Sequence, residues 1–371
     1  MAKYRFEQIA INCKEKVKAD DIDTSTYIGL EHLDPGCLHV SRWGSAVPIK
    51  GDKIVMHEGD VLFGKRNAYL RRAAIAPHDG AFSAHGMIFR PREDVVDKDF
   101  FPLFIASDYF FDTAIRISVG SLSPTVNWSD LKNQEFELPD LDTQRKLAKV
   151  LWSINDTMEA YKKLISATDE LVKSQFIGLF TFKNYPMAPI EKFVDRKLKK
   201  KKDIAEIHDT IRYIDISSID NSSKQVTGYV EYQVNEAPSR AQQVLKKGDI
   251  LFSTVRPNLQ NIAINPYSED NVVASTGFCV LRCIDCLPEY MWGVILSDDF
   301  TNTMCEEASG ISYPAVRDSN VLQYQVPDPP MDRQKQFAAF VRQSDKSKFE
   351  LEQALSELTA TYKRIIAENL G

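Results

Sequence analysis

The sequence has no long apolar run: nothing approaches the roughly 18 consecutive apolar residues that would cross a bilayer. Its opening residues, MAKYRFEQIA, hold no apolar h-region, so no secretory signal is expected there. Cysteine is sparse, six in 371 residues and mostly unclustered, which excludes a disulfide framework and points to the reducing cytoplasm. The 16 glycines and 17 prolines are too few for a collagen-like or low-complexity chain. Positive charge is not in excess either. With 46 Lys+Arg against 52 Asp+Glu the net charge is −6, so any nucleic-acid reading must rest on local features. The remainder, 43% hydrophobic and 26% charged, is the composition of a globular protein long enough for two or more domains.

Catalytic motifs are missing as well. No Gly-rich loop opens a helix after a strand, which leaves a nucleotide or S-adenosylmethionine site unsupported. No Asn-Pro-Pro-aromatic stretch appears, the motif an adenine methyltransferase uses on a flipped base. Asp328-Pro329-Pro330 reads only as a linker. The histidines show no metal spacing, there is no nucleophile elbow, and scattered carboxylates do not make a nuclease. Cys279, Cys283 and Cys286, in CVLRCIDC, invite a zinc reading with Cys305 downstream. A second knuckle is lacking and the first half has no counterpart, which favours buried thiols. No catalytic residue, metal ligand or cofactor is expected.

What is present is a duplication. GDVLF at 59–63 returns as GDILF at 248–252, an offset of 189, and Ala74-Ile75-Ala76-Pro77 returns as Ala263-Ile264-Asn265-Pro266 at the same offset. YIGLEHL (27–33) parallels YIDISSI (213–219). Gly120 and Pro124, in VGSLSPTV, parallel Gly310 and Pro314, in SGISYPAV, and Pro139 and Gln144 parallel Pro327 and Gln334. The period is about half the chain, far beyond solenoid repeats of ~20–50 residues, so each copy is a domain. The first ~140 residues of each copy read as mixed α/β, with short buried strands at GDVLF and GDILF and partner strands at 87–91 and 278–282.

Each copy ends in a long helix. Leu147, Leu151, Ile154, Met158, Tyr161, Ile165, Thr168, Val172, Gln175 and Leu179 alternate spacings of four and three. Phe337, Val341, Ser344, Lys348, Leu351, Leu355, Leu358, Tyr362, Ile365 and Asn369 repeat the pattern at an offset of 190. Four such heptads form a coiled-coil seam about 50 Å long. The expected fold class is therefore α/β (α+β), two mixed domains in tandem, each followed by a long helix. The helices are expected to pair as an antiparallel coiled coil about a pseudo-twofold axis. The expected boundaries are 1–138, 139–183, 184–326 and 327–371.

The ordered set resembles the specificity subunit of type I restriction–modification enzymes along the whole chain. It is carried by Gly-Asp-hydrophobic-Leu-Phe, then Ser-Gly-x-Ser-x-Pro-like segments, then FELPDLDTQRKLA (136–148) and YQVPDPPMDRQKQFA (324–338). The resemblance implies two target-recognition domains, each reading half of a split duplex DNA target. It implies helices that set the gap and dock two modification (methyltransferase) subunits, with ATP-dependent restriction subunits where a system has them, and no catalytic site in this chain. VGSLSPTVN and SGISYPAVR diverge, which suits two different half-targets. Both recognition segments are acidic: residues 1–138 carry 17 basic and 20 acidic groups, residues 184–326 carry 15 and 19. A basic face must then be offset by acidic faces elsewhere.

Candidate DNA contacts follow the repeated strands. After GDVLF come Lys65, Arg66, Asn67, Tyr69, Arg71 and Arg72; after GDILF come Arg256, Asn258, Gln260 and Asn261. Arginine can hold guanine bidentately, and Asn or Gln adenine. Lys199, Lys200, Lys201 and Lys202 lie in RKLKKKKD and suit phosphates, whereas the first copy offers Lys14, Lys16 and Lys18 in the matching region. His85, Asn127, Trp128, Tyr313 and Arg317 are weaker candidates. Two other classes stay open: a complete restriction or modification enzyme, or a scaffold or acidic DNA mimic that inhibits one. The specificity subunit of a related restriction class is a third variant of the same reading.

Overall fold

Both Gly-Asp turns open buried strands. In this computed structural model, which describes residues 1–181, 185–221, 223–310 and 313–370, Gly59 and Gly248 have φ of +86° and +90°. That left-handed backbone is open to glycine at no steric cost. The aspartate that follows each glycine turns inward. Asp60 accepts from the His57 amide at 2.8 Å and from Arg90 Nε and Nη2 at 2.5 and 3.0 Å. Asp249 accepts from the Lys246 amide at 2.7 Å and from Arg282 Nε and Nη2 at 2.9 and 2.7 Å. Each arginine stands on, or next to the end of, the strand paired with its motif, so this fork ties the turn to the sheet.

In the first copy Val61–Phe63 lies between Met87–Pro91 and Ala73–Ile75, antiparallel to both, with Ala10–Cys13 at the far edge. A second sheet orders Lys16–Val17, Lys53–Met56, Gly80–Phe82 and Tyr27–Ile28. In the second copy Ile250–Ser253 lies between Ile262–Ile264 and Phe278–Leu281. The companion sheet orders Val230–Gln233, Thr210–Ile214, Val272–Ser275 and Ala241–Val244. The strands expected at 87–91 and 278–282 are thus the partners of the two motifs. Ala2–Arg5 pairs with Glu135–Leu138, and Met187–Pro189 pairs with Gln325–Pro327, so each copy is closed by its own ends.

The long helices are Leu141–Phe176 and Met331–Asn369. Asp140 caps the first, accepting from the amide and hydroxyl of Thr143, both at 2.9 Å, and these bonds hold its carboxyl below the usual range. A π-helical turn, Ile177–Thr181, follows it around Gly178, so α-helical geometry stops three residues before Leu179. Every seam position from Leu147 to Leu179, and from Phe337 to Asn369, is buried or half-buried. Exposed apolar residues on the same helices, such as Val150, Leu164, Leu171 and Phe349, fall off the seam.

The chain divides into two compact units, Met1–Lys162 with Gln353–Gly371, and Lys163–Glu352, so the division falls inside each long helix. In the first unit Leu147, Ala148 and Leu151 join a phenylalanine-rich core built on Phe6, Phe63, Phe89, Phe104, Phe110 and Phe136. Tyr362, Ile365 and Ile366 of the second helix, with Leu370 just past its end, pack into that same core. In the second unit Phe176 and Phe180 meet the Phe337 ring at 5.5 and 5.6 Å, while Lys348 Nζ binds Asp169 at 2.9 and 3.0 Å. Rising numbers on one helix meet falling numbers on the other, an antiparallel contact.

The repeated glutamines lock each helix start to its domain. Gln144 accepts from the Asp97 amide at 2.8 Å and donates to Pro139 O and Val95 O at 2.8 and 3.2 Å. Gln334 accepts from the Leu287 amide at 2.9 Å and donates to Pro329 O at 3.1 Å. Both side chains are buried, so Gln334→Ala orphans one buried and one half-buried backbone group. It is expected to cost about 2 kcal/mol, read as a lower denaturant midpoint.

Cys279 and Cys286 belong to the core of the second unit, and burial pushes the Cys279 thiol well above its ordinary value. The contact with Cys283, then burial, does the same for Cys286. Ile311-Ser312 of the SGISYPAV segment, and the expected boundary at 183/184, lie outside the described residues.

Candidate nucleic-acid interface

The two loops after the Gly-Asp strands share one unusual backbone. Among the described residues five non-glycines have left-handed φ, and four of them are here: Asn67 (56°), Arg71 (50°), Arg256 (51°) and Gln260 (48°). They form two pairs at the duplication offset of 189, each pair bracketing a single 3-10 turn, Ala68–Leu70 or Pro257–Leu259. Asparagine tolerates this region; arginine and glutamine adopt it at a cost of roughly 1–2 kcal/mol. The turns put Tyr69 and Asn258 at equivalent tips, both exposed.

Each loop is pinned to the Ser/Pro loop of its own domain. The Asn67 amide donates to Pro124 O at 2.7 Å and the Val126 amide to Lys65 O at 2.9 Å. In the second domain the Arg256 amide donates to Pro314 O at 2.7 Å and the Val316 amide to Thr254 O at 2.9 Å. Both arginines then reach the same point of that loop: Arg66 Nη2 lies 3.1 Å from Ser123 Oγ, and the Arg256 guanidinium sits 4.5 Å over the Tyr313 ring.

The first interface is locally basic despite the acidic total. Burial pulls the half-buried Lys65 ammonium below the usual lysine value, and Lys16 pushes the same way. His85 is held below the usual histidine range first by burial, then by Arg66, Lys65 and Lys53. Lys53 Nζ is anchored on Lys50 O and Gly51 O at 2.6 and 2.8 Å. Strands and loops from separate parts of the chain thus gather Lys16, Lys53, Lys65, Arg66 and His85. Lys53 was not among the sequence candidates, and nothing in its local pattern marks it.

Other candidates turn toward the protein. Arg71 pairs with Asp108 at 2.6 Å and Asp112 at 2.7 Å, on the helix Asp108–Arg116. Gln260, its equivalent, donates to Thr301 Oγ1 at 3.0 Å on the helix Asp298–Glu307, and its carbonyl accepts from Lys224 Nζ at 2.7 Å. These two side chains brace their loops. Arg72 Nε and Asn67 Oδ1 are buried with no hydrogen-bond partner among the described residues. The Asn261 carbonyl accepts from the Ser253 amide at 3.0 Å. Trp128 packs against Phe6 and Phe89, and Asn127 caps the short helix Trp128–Leu131 through its carbonyl. Arg317 immediately precedes the helix Asp318–Gln323.

The lysine run flanks the second interface. Lys200 bridges to Gln243 as Lys16 pairs with Ile54, and Ile54 and Gln243 are themselves 189 apart. Lys16 and Lys200 therefore hold the same place beside equivalent strands. Lys199 O accepts from the Val244 amide at 3.0 Å, Lys201 Nζ donates to Val234 O at 3.2 Å, and Lys202 is exposed. Partial desolvation raises the Asp318 carboxyl above the usual range, and Lys200 pulls it back down.

Among the described residues no group of three or more His, Cys, Asp or Glu is placed to hold a metal, and no helix is long and apolar enough to cross a membrane. A family model for the type I restriction modification DNA specificity domain matches residues 39–167 and 188–359. The protein named as the MjaX type I restriction enzyme specificity subunit of Methanocaldococcus jannaschii is 22% identical over 201 residues, 51% of this chain and 44% of the relative. The HindI specificity subunit of Haemophilus influenzae is 31% identical over 101 residues, 26% of this chain and 22% of the relative. The chain thus aligns with less than half the length of these curated relatives. The S subunit from M. genitalium shares the fold, with a TM-score of 0.56 at 15% identity over 98% of this chain and 94% of that one. A chain solved in work on complex assembly and conformational transition of the type I R-M system gives 0.57 at 16%, over 99% and 97%. With two matches that together take in most of its length, the chain belongs to the type I restriction modification DNA specificity domain family.

Proposed function

We propose that this chain is the non-catalytic sequence-specificity subunit of a type I restriction–modification system, each recognition domain reading one half of a split duplex target. The observation that carries this is the pair of equivalent loops, strained in the same two places and pinned to the same partner loop, yet presenting different side chains. Strain of that kind persists where the surrounding structure over-determines it, and it clusters at functional sites. One frame with two vocabularies is what two unlike half-sites require.

In this reading Lys16, Lys65, Lys200 and Lys202 take phosphates, which fixes register. Arg66, Tyr69, Arg256 and Asn258 face base edges in the major groove. Arg71 and Gln260 hold the loops still. Residues 1–138 and 184–326 are the readers, and residues 139–183 and 327–371 pair as a coiled coil that sets the gap and docks two modification subunits. Restriction subunits join where the system has them, and the assembly works on DNA in the cytoplasm. Methyl transfer, ATP hydrolysis and cleavage belong to those partners, so this chain needs no cofactor. The local basic cluster favours this over an acidic DNA mimic.

The test is co-expression with the modification subunit of its system, followed by methylome sequencing. A split motif with a fixed gap, lost on deletion of this chain, is expected; methylation that persists unchanged without it would sink the reading. In the reconstituted complex Lys65→Ala should weaken binding uniformly across sequences and lower the salt slope by about one. Arg66→Ala should cost about 1–3 kcal/mol and relax specificity at a single position.

A further inference from the structure

Each Ser/Pro loop holds a large exposed side chain near its tip, Leu122 in the first domain and, one place further along the shared frame, Tyr313 in the second. In the first domain the loop is a tight excursion closed by the Val119–Thr125 bridge, whose two amide bonds are both 3.0 Å. Gly120, at φ +115°, makes the turn, and the Pro124 and Arg66 contacts fix its base. At its tip Leu122 is 95% exposed. In the second domain the Ser309–Ala315 bridge, with two bonds of 2.9 Å, and Gly310, at φ +111°, rebuild the frame, and Tyr313 is 70% exposed. Ile311 and Ser312 lie outside the described residues.

An aliphatic side chain held almost wholly in water on a pinned loop gains nothing for folding. Its surroundings select the partner. Leu122 is the immediate neighbour of Ser123, which Arg66 holds, and Lys65, next to Arg66 in the chain, feels Lys16 in turn; Tyr313 carries the Arg256 guanidinium over its face. A protein surface matching an apolar tip with an arginine beside it would have to be acidic and hollow. Stacked bases between phosphate backbones supply both features: anions for the arginine, and an apolar slot once a base step opens.

We infer that Leu122 and Tyr313 are wedges, each entering one base step of its half-site and unstacking it while the adjacent arginine holds the backbone or base edge. The inference rests on the DNA-reading function proposed above and adds how the target is deformed. Apolar residues inserted between base steps partly unstack and kink duplexes, and the cost depends on the step, least at flexible pyrimidine–purine steps. Part of each half-site would thus be read through deformability, without a hydrogen bond to either base. Tyr313 can also stack on the opened base, which an aliphatic tip cannot do as well.

The experiment uses the full chain with its modification subunits and the duplex target found by methylome sequencing. 2-Aminopurine is placed at successive steps away from the methylated base. The wild-type complex should raise its fluorescence at one step per half-site. Leu122→Ser should abolish the rise in the first half-site only, and Tyr313→Ser in the second only. Each variant should bind intact duplex about tenfold more weakly, and recover to within about twofold on DNA carrying a mismatch at that step, where the unstacking is already done. Leu122→Phe should keep the signal, which separates insertion from loop damage. A Leu122→Ser complex that binds intact duplex like wild type, or loses equally on intact and mismatched DNA, would refute the wedge. A wild-type complex that does not distinguish its target from random duplex would instead remove the recognition function, and the wedge with it.

Discussion

Replacing Asp249 by alanine is expected to cost 3–5 kcal/mol, the usual consequence of leaving a buried partner charge uncompensated. Asp249 is 2% exposed and accepts three hydrogen bonds, two from Arg282 and one from the Lys246 amide. The Arg282 side chain is 13% exposed, so water cannot replace what the carboxylate supplied. Against the 5–15 kcal/mol that typically stabilises a domain, such a loss comes close to unfolding one. The equivalent Asp60→Ala should cost less, because Arg90 is 43% exposed and can rehydrate. Denaturant midpoints of the two variants measure the difference; equal losses, or a loss under about 1 kcal/mol for Asp249, would contradict this account. The double change Asp249→Leu with Arg282→Met should recover much of the stability, since neither charge is then stranded.

Inserting one heptad into both long helices, after Lys162 and after Glu352, is expected to lengthen the gap between half-sites and leave both half-sites unchanged. Seven residues preserve the alternation of four and three along the seam, so pairing survives. They add about 10 Å, at 1.5 Å per residue, which is at most about three base pairs of 3.4 Å. Methylome sequencing of a strain carrying the elongated chain reads the gap directly. Altered half-site bases with an unchanged gap would mean that the helices do not measure distance.

The duplication was open to reading because its markers are stereochemical. Glycine at 59 and 248 and at 120 and 310 meets a positive φ, the buried Asp60 and Asp249 each meet an arginine, and Gln144 and Gln334 meet orphan backbone groups. Residues under such demands keep their identity and spacing at offsets of 189 and 190. The helix seam was open for a related reason: a period of 3.5 declares a buried stripe, and each seam position is shielded.

The interface was not legible in the same way. Lys16 and Lys200 are 184 apart rather than 189, and only the strand register shows that they stand in equivalent places. Arg71 and Gln260 are base-reading candidates on composition, and only the structure shows that left-handed backbone beside the 3-10 turn gives each a partner on a neighbouring helix. Lys53 and Ser123 carried no local signal, because their part depends on what distant strands bring beside them.

The sequence by itself thus determined the two-copy plan, the helix seams and the paired loops that follow the Gly-Asp strands, since local stereochemistry and periodicity encode these within short windows. Which side chains in those loops face outward, and where cations gather on an acidic chain, was decided only by the tertiary structure. Direction and charge density at a surface are properties of segments far apart in sequence, and they exist only once strand register and loop strain have fixed them in space.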